Sequence, residues 1–335
     1  MNFVTVSELD RDIIHNLHKI PENIDVIAGV PRSGMLAASL IALHLNRPLT
    51  DIDSLASGKI YSSGSTKNVP EKTASGMQAA LVVEDSTLSG RSLMEAKKTL
   101  RQAGCSMKCI FLAVYAVGEA RHNADIYFRI IPRPRAFEWN FMHYPEFLKR
   151  ACVDIDGVLC MDPSPEENDD GEKYREFIRN ARVKFVPTAE IGWIVTSRLE
   201  KYREDTEYWL EKHGIRYGRL CMLGLESAEE RRRLGIHAEF KAEVYKNAGD
   251  AVCFIESDKR QAGEINRITG KDVICVEDLS LNKADFLHSY RDIAKNGYIF
   301  AVNALPVPVR KELKKIKRMI KKAREVVENR CNPHV

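Results

Sequence analysis

The sequence has no apolar run approaching the roughly 20 residues that a membrane-spanning helix needs, and its N-terminus lacks a basic-then-apolar leader. Membrane-spanning and secreted classes are set aside, and the expected location is the cytoplasm. The eight cysteines, at 105, 109, 152, 160, 221, 253, 275 and 331, form no CxxC pair and have no histidines nearby at zinc spacing. Several fall in apolar, strand-like runs, so they read as reduced core residues, not as a disulfide framework or a metal site. A net positive charge is also lacking over most of the chain. Between Arg310 and Arg324 nine Lys/Arg face one Glu, and removing that local +8 from the formal net charge of +4 leaves −4 for the remainder. A body of that sign is not built for nucleic acid, and no nucleic-acid partner is expected.

What is present is an α/β pattern long enough, at 335 residues, for two domains. The central stretch is Ala79 to Ser92. An apolar strand, Ala79 to Val83, meets two acids, Glu84 and Asp85, and then the small polar loop Ser86, Thr87, Leu88, Ser89, Gly90, Arg91, Ser92 ahead of a helix from Ser92 to Gln102. Unpaired N–H groups at a helix start cradle phosphate oxygens, and adjacent carboxylates accept hydrogen bonds from a ribose diol. An earlier strand–loop–helix unit carries Gly29, Pro31, Arg32, Ser33 and Gly34, then an apolar helix from Leu36 to Leu45; before it, an amphipathic helix from about Ser7 has Leu9, Ile13, Ile14 and Leu17 on one face. Between the two loops lies a long polar, aperiodic segment, 57–76, of the kind that is either a lid or disordered; its Lys59, Tyr61, Lys67 and Lys72 either reach the phosphates of a bound substrate or stay solvated. Strands Lys108 to Val117 and Ile126 to Ile131 follow, then an aromatic cluster, Phe137, Trp139 and Phe141, that either seals the core or walls an acceptor pocket.

Residues 80–92 resemble the phosphoribosyl-pyrophosphate (PRPP) motif of type I phosphoribosyltransferases, and 29–34 resemble that family's pyrophosphate loop. The resemblance implies transfer of ribose 5-phosphate from PRPP to an acceptor with loss of pyrophosphate, Mg²⁺ as cofactor, Glu84 and Asp85 as catalytic acids, and Pro31, Arg32, Ser33, Gly34 and Ser86–Ser92 as the phosphate-binding loops.

The pattern restarts near residue 149. A strand ends in Asp154-Ile-Asp156-Gly157; two aspartates at this spacing can both reach one Mg²⁺, one by side chain and one by main-chain carbonyl. Further strand and helix ends bring Thr196, Lys241, Glu256 and Asp258 in order. These residues resemble motifs I to IV of the haloacid dehalogenase (HAD) superfamily of phosphatases. The resemblance implies Asp154 as nucleophile, Asp156 as general acid and base, Thr196 and Lys241 as phosphate ligands, and a Mg²⁺ site drawn from Asp154, Asp156, Glu256 and Asp258. Lys246 and Lys259 are rivals to Lys241, and Glu256 stands where Asp is commoner. The acidic insert Pro163 to Glu172, where the family places its cap, reads as a solvated loop, and Arg198 and Arg231–Arg233 read as phosphate contacts or, more usually, as solvated helix faces.

After Leu305-Pro-Val-Pro, apolar residues recur every three or four positions from Val309 to Val327 on a strongly basic helix. It can dock on its own protein, dimer contacts included, or lie on an anionic membrane surface at the inner face of the membrane. The expected organisation is thus α/β, two Rossmann-like domains with mostly parallel sheets: a phosphoribosyltransferase domain at 1–148, a HAD-like phosphatase domain with a small cap at 149–305, and a basic amphipathic helix at 306–335. The expected activity is two-step ribofuranosyl transfer: phosphoribosylation of a glycan hydroxyl in surface polysaccharide biosynthesis, or of a small molecule, then removal of the 5-phosphate. The alternatives are a nucleobase acceptor that gives a nucleoside, and a non-catalytic PRPP sensor.

Overall fold

The computed structural model describes residues 1–61, 76–118 and 123–284. Lys67, Lys72, Cys331, the helix at 306–335 with its 309–327 stripe, and the expected boundary at 305 lie outside the described residues.

The first half is built on a five-stranded, wholly parallel sheet in the order β3-β2-β4-β5-β6. Its strands are β2 (Val26–Gly29), β3 (Leu49–Asp51), β4 (Ala79–Thr87), β5 (Lys108–Ala116) and β6 (Ile126–Ile130). Alternation along β4 splits its apolar residues between two layers: Leu81 and Val83 pack with α1 (Val6–Asn16) and α2 (Gly34–Leu45), while Ala80 and Val82 pack with α3 (Ile52–Ala56) and α4 (Arg91–Gln102). On α1, capped by a Thr5–Glu8 box, Leu9 and Ile13 are buried but Ile14 is 46% exposed, so the expected apolar face is narrower.

The strand at 79–83 is longer than the sequence suggested. Pairing with β5 runs on through Glu84–Ala113, Ser86–Tyr115 and Thr87–Ala116, so the acids and the first two residues of the expected loop are strand residues. Leu88, Ser89 and Gly90 make the turn itself.

The second half is a six-stranded sheet, β10-β9-β8-β11-β12-β13, parallel except for the β12–β13 pair. Its strands are β8 (Ala151–Val153), β9 (Ile191–Leu199), β10 (Tyr217–Leu223), β11 (Cys253–Glu256), β12 (Val273–Cys275) and β13 (Ser280–Asn282). Its helices are α6 (Glu172–Asn180), α7 (Arg203–Lys212), α8 (Ala228–Leu234), α9 (His237–Asn247) and α10 (Lys259–Thr269). The seven described cysteines are free thiols, four of them buried. Among the described residues no helix is long and apolar enough to cross a membrane.

The halves meet through a shared core. A short parallel pair, β1 (Asn2–Val4) with β7 (Arg135–Phe137), brings Phe3, Phe141 and Met142, together with Phe147 of the short α5 (Pro145–Leu148), into one hydrophobic cluster with Val153, Ile194 and Ile255. The Met1 ammonium also contacts Asp272 of the second half. Arg133, Pro134, Arg135, Tyr144 and Phe147 line a cavity of about 740 Å³ with Gly192, Trp193, Gly218 and Val252, at the amino ends of the second sheet's strands. The first half therefore sits against the amino ends of that sheet.

Candidate functional site

Doubly wound parallel sheets bind ligands outside the carboxyl ends of strands, where the strand order reverses. The first sheet reverses between β2 and β4, and the loops there are 30–33 and 88–90. Gly34 opens α2 where a Cβ would stand 2.7 Å from the Val83 carbonyl and 3.3 Å from Glu84 Oε2, so the absence of a side chain lets the loop close on β4. The Pro31–Arg32 peptide is cis. Pro31 and Arg32 are exposed, as are Leu88, Ser89, Arg91 and Ser92. No side chain caps α4 at Gly90, so its first N–H groups face outward unpaired, the arrangement that accepts a phosphate.

The acid pair is divided between roles. Asp85 is 1% exposed; Ser33 Oγ donates to its Oδ1 at 2.8 Å and Trp139 Nε1 to its Oδ2 at 2.8 Å. Burial raises the pKa of its carboxyl despite those two bonds, the Ser86 N–H and the Arg135 charge. Glu84 lies beside Gly34, its Oε2 buried without a partner, and burial, then Asp85, pushes it up to about 8. A neutral carboxyl beside a hydrogen-bonded one offers both a donor and an acceptor to a diol. Of the lid candidates within the described residues, Tyr61 donates to Asp51, which anchors it at the edge strand, and Lys59 is exposed.

Two residues of this site escaped the sequence. Trp139, read as sealing the core or walling an acceptor pocket, stacks on Phe137 with ring centroids 4.9 Å apart and turns its N–H onto Asp85, a contact nothing in the sequence marks. Arg135 is 6% exposed, and its Nη2 donates to the Thr87 carbonyl at 3.1 Å, bracing the end of β4.

The second sheet reverses between β8 and β11, and its carboxyl ends hold a cavity of about 470 Å³. Lys241, 2% exposed on α9, donates to Asp154 Oδ2 and Glu256 Oε2 at 2.7 Å each and to Gln261 Oε1 at 3.1 Å. Burial alone would lower the ammonium pKa; Asp154 and Glu256 more than reverse this. Burial pushes Asp154 up to about 8, with Lys241 opposing and Glu256 and Asp156 adding to the rise. The rival lysines are elsewhere: Lys246 is exposed, and Lys259 pairs with Asp278 at 2.8 Å. Gly157 (φ +73°) makes the turn after Asp156.

Four expectations need correction. Asp156 is gripped by Arg198, at 2.6 Å from Nη2 to Oδ1 and 3.2 Å from Nε to each oxygen. Burial would raise its pKa, but this guanidinium holds the carboxylate below its usual range. Asp156 is thus suited to accept a proton and not to donate one at neutral pH, and Arg198, fully buried, is no solvated arginine. Thr196 is fully buried, with its hydroxyl accepting the Arg198 N–H at 3.2 Å; the neighbouring Ser197 lines the cavity instead. Asp258 is spent as the cap of α10, accepting from Gln261 N–H at 2.7 Å. Among the described residues no three His, Cys, Asp or Glu side chains are grouped to hold a metal ion, because Arg198 draws Asp156 aside and α10 takes Asp258. The donors left at the centre are Asp154, Glu256 and the Asp156 main-chain carbonyl, which now accepts from Ser257 Oγ at 3.1 Å. Burial, with Glu256 and Asp156 adding to it, raises Asp154 despite Lys241, and a cation among these donors would offset that rise.

Residues 6–145 match the phosphoribosyl transferase domain family. The match supports a phosphoribosyltransferase domain in this segment, under half of the chain. Among solved structures the chain is similar to a Pyrococcus horikoshii purine phosphoribosyltransferase at 18% identity, covering 43% of this chain and 97% of that one, TM-score 0.31. A Helicobacter pylori xanthine-guanine-hypoxanthine phosphoribosyltransferase matches at 18% identity over 41% and 90%, TM-score 0.30. An Aeropyrum pernix orotate phosphoribosyltransferase matches at 17% over 37% and 69%, TM-score 0.27. No curated protein matches the chain.

Proposed function

We propose, starting from the phosphoribosyl transferase domain at residues 6–145, that the chain performs two reactions in order: phosphoribosylation of an acceptor, then hydrolysis of the 5-phosphate. In the first, the bond from ribosyl C1 to pyrophosphate breaks and a bond to the acceptor oxygen forms, the acceptor giving up its proton. The α4 N-terminus and the loop 86–92 hold the 5-phosphate, Arg32 lies where pyrophosphate leaves, and Glu84 and Asp85 take the diol. In the second, the ionised form of the Asp154 carboxyl attacks phosphorus and the bond from phosphorus to the sugar oxygen breaks, that oxygen taking a proton from solvent; water then attacks the phosphorus of the acyl phosphate, gives its proton to ionised Asp156, and releases phosphate and the Asp154 carboxylate. Lys241 holds the nucleophile against the incoming phosphate. Mg²⁺, held by Asp154, Glu256 and the Asp156 carbonyl, would supply charge neutralisation at the phosphoryl oxygens.

One observation carries this reading: the buried Lys241 bridging Asp154 and Glu256 at the switch point of a second parallel sheet, in the same chain as the PRPP loops. Such a buried ion triad at a cavity mouth is costly for stability and suited to phosphoryl chemistry. The favoured acceptor is a glycan hydroxyl of surface polysaccharide biosynthesis, with residues 149–305 as the HAD-like phosphatase domain and the basic stripe at 309–327 touching the membrane or a second copy. The stacked Phe137–Trp139 pair beside Asp85 favours a second reading, in which a planar nucleobase is the acceptor and a nucleoside the product.

Asp154→Asn, given PRPP, Mg²⁺ and a panel of glycan and nucleobase acceptors, should release pyrophosphate and accumulate a phosphoribosylated product by mass, which wild type converts to the ribosylated form. Phosphate release by the variant equal to wild type would remove Asp154 from the mechanism. Undiminished pyrophosphate release by Asp85→Asn would remove the PRPP site as assigned.

A further inference from the structure

The acidic insert after Asp156 is not the solvated loop its composition suggests. Asp169 accepts from the N–H groups of Gly171 and Tyr174, and Asp170 binds Lys201 at 3.0 Å, the Tyr202 hydroxyl at 2.9 Å and the Ala228 N–H at 2.8 Å. So fixed, the insert contributes Asn168 to the wall of the second cavity.

Among the described residues, eight buried side-chain N or O atoms have no hydrogen-bond partner, and three belong to residues lining this cavity: Asn168 Oδ1, Ser197 Oγ and Arg231 Nε. Native proteins leave few such atoms, because each was better solvated in the unfolded chain. Arg231 is 8% exposed, and its Nη1 donates to the Ser197 carbonyl at 2.8 Å, which fixes the guanidinium with Nε spare. The three atoms are an acceptor, a donor and a hydroxyl able to be either. Sugar hydroxyls can donate to Asn168 and accept from Arg231; an aryl or alkyl leaving group can do neither.

We infer that Asn168, Ser197 and Arg231 form a leaving-group subsite for the hydroxyls of a pentosyl 5-phosphate, so that the second site reads the sugar and not the acceptor attached to it. This rests on the phosphatase reading above. The phosphorylated pentosyl product leaves the first half and enters a cavity at the far, carboxyl ends of the second sheet, where its sugar is all that must be recognised.

The test compares ribose 5-phosphate, methyl β-ribofuranoside 5-phosphate and p-nitrophenyl phosphate as substrates of the full chain with Mg²⁺, following phosphate release. Wild type should hydrolyse the two sugar phosphates with kcat/KM values within about threefold of each other. Asn168→Leu should lower kcat/KM for both by about tenfold more than for the aryl phosphate, close to one hydrogen bond's worth at 1.4 kcal/mol per tenfold. Arg231→Met should act in the same direction; because Arg231 also holds the Ser197 carbonyl, the Asn168 variant on the surface insert decides if the Arg231 variant fails to fold. Equal losses on all three substrates in Asn168→Leu would overturn the subsite and leave the phosphatase reading intact. Phosphate release by wild type from none of the three would remove both.

Discussion

Replacing Glu84 by Gln should flatten the pH dependence of the first half's stability. Burial, then the neighbouring Asp85, pushes the Glu84 carboxyl up to about 8 from 4.5. An acid with a raised folded pKa binds its proton more tightly when folded, so stability is greatest below the unfolded pKa and falls as pH rises towards about 8. Between pH 6 and 9 the group passes through about two of those units, and at 1.36 kcal/mol per unit the fold loses about 2–3 kcal/mol. Gln keeps the shape and removes the titration. Urea and thermal unfolding at pH 6, 7, 8 and 9 would show it, the wild-type transition of the first half dropping by about 5–10 °C more than that of Glu84→Gln over the range. Other groups titrate in this window, so the difference between the two proteins is the measure. Identical slopes would refute the buried, protonated state of Glu84, and with it the neutral donor offered to the ribose diol.

Strand ends and loop chemistry could be read in the sequence because they are local: apolar runs stop at acids or glycines, and the parallel sheets put those ends together. The PRPP loops and the Asp154, Lys241 and Glu256 set lie at switch points for that reason. What was not legible depends on neighbours distant in sequence. The length of β4 is set by pairing with β5, which carries Glu84 and Asp85 into the strand. Trp139 reaches Asp85 across 54 positions and Arg135 reaches Thr87 across 48, so nothing adjacent to either marks its partner. Arg198 looked solvated because charge in a helix-like run usually is; its place within β9 turns it inward on Asp156 across 42 positions. The acidic run 166–170 misled by composition alone, since its carboxylates are spent on backbone N–H groups and on Lys201.

Trp139→Phe removes the N–H that occupies Asp85 Oδ2 while keeping the stack on Phe137. The free protein should lose about 1.5–3 kcal/mol, and PRPP, no longer competing with the indole for that oxygen, should bind about three- to tenfold more tightly by calorimetry; weaker binding would make Trp139 a PRPP-supporting residue and not a competitor. The last prediction concerns Arg198. Its guanidinium is fully buried and Asp156 is its charge partner, so Arg198→Met strands a largely buried carboxylate. Breaking such a pair costs about 3–5 kcal/mol, most of it the penalty of the unpaired charge and not of the lost contact. Adding Asp156→Asn removes that charge and should recover more than half of the loss in urea unfolding, even though it deletes a second polar partner. If the double variant were as unstable as Arg198→Met alone, the cost would lie in the guanidinium's contacts with Phe177 and Cys160. The held charge on Asp156 would then be incidental to the fold, and the proton-accepting role assigned to it would need another support.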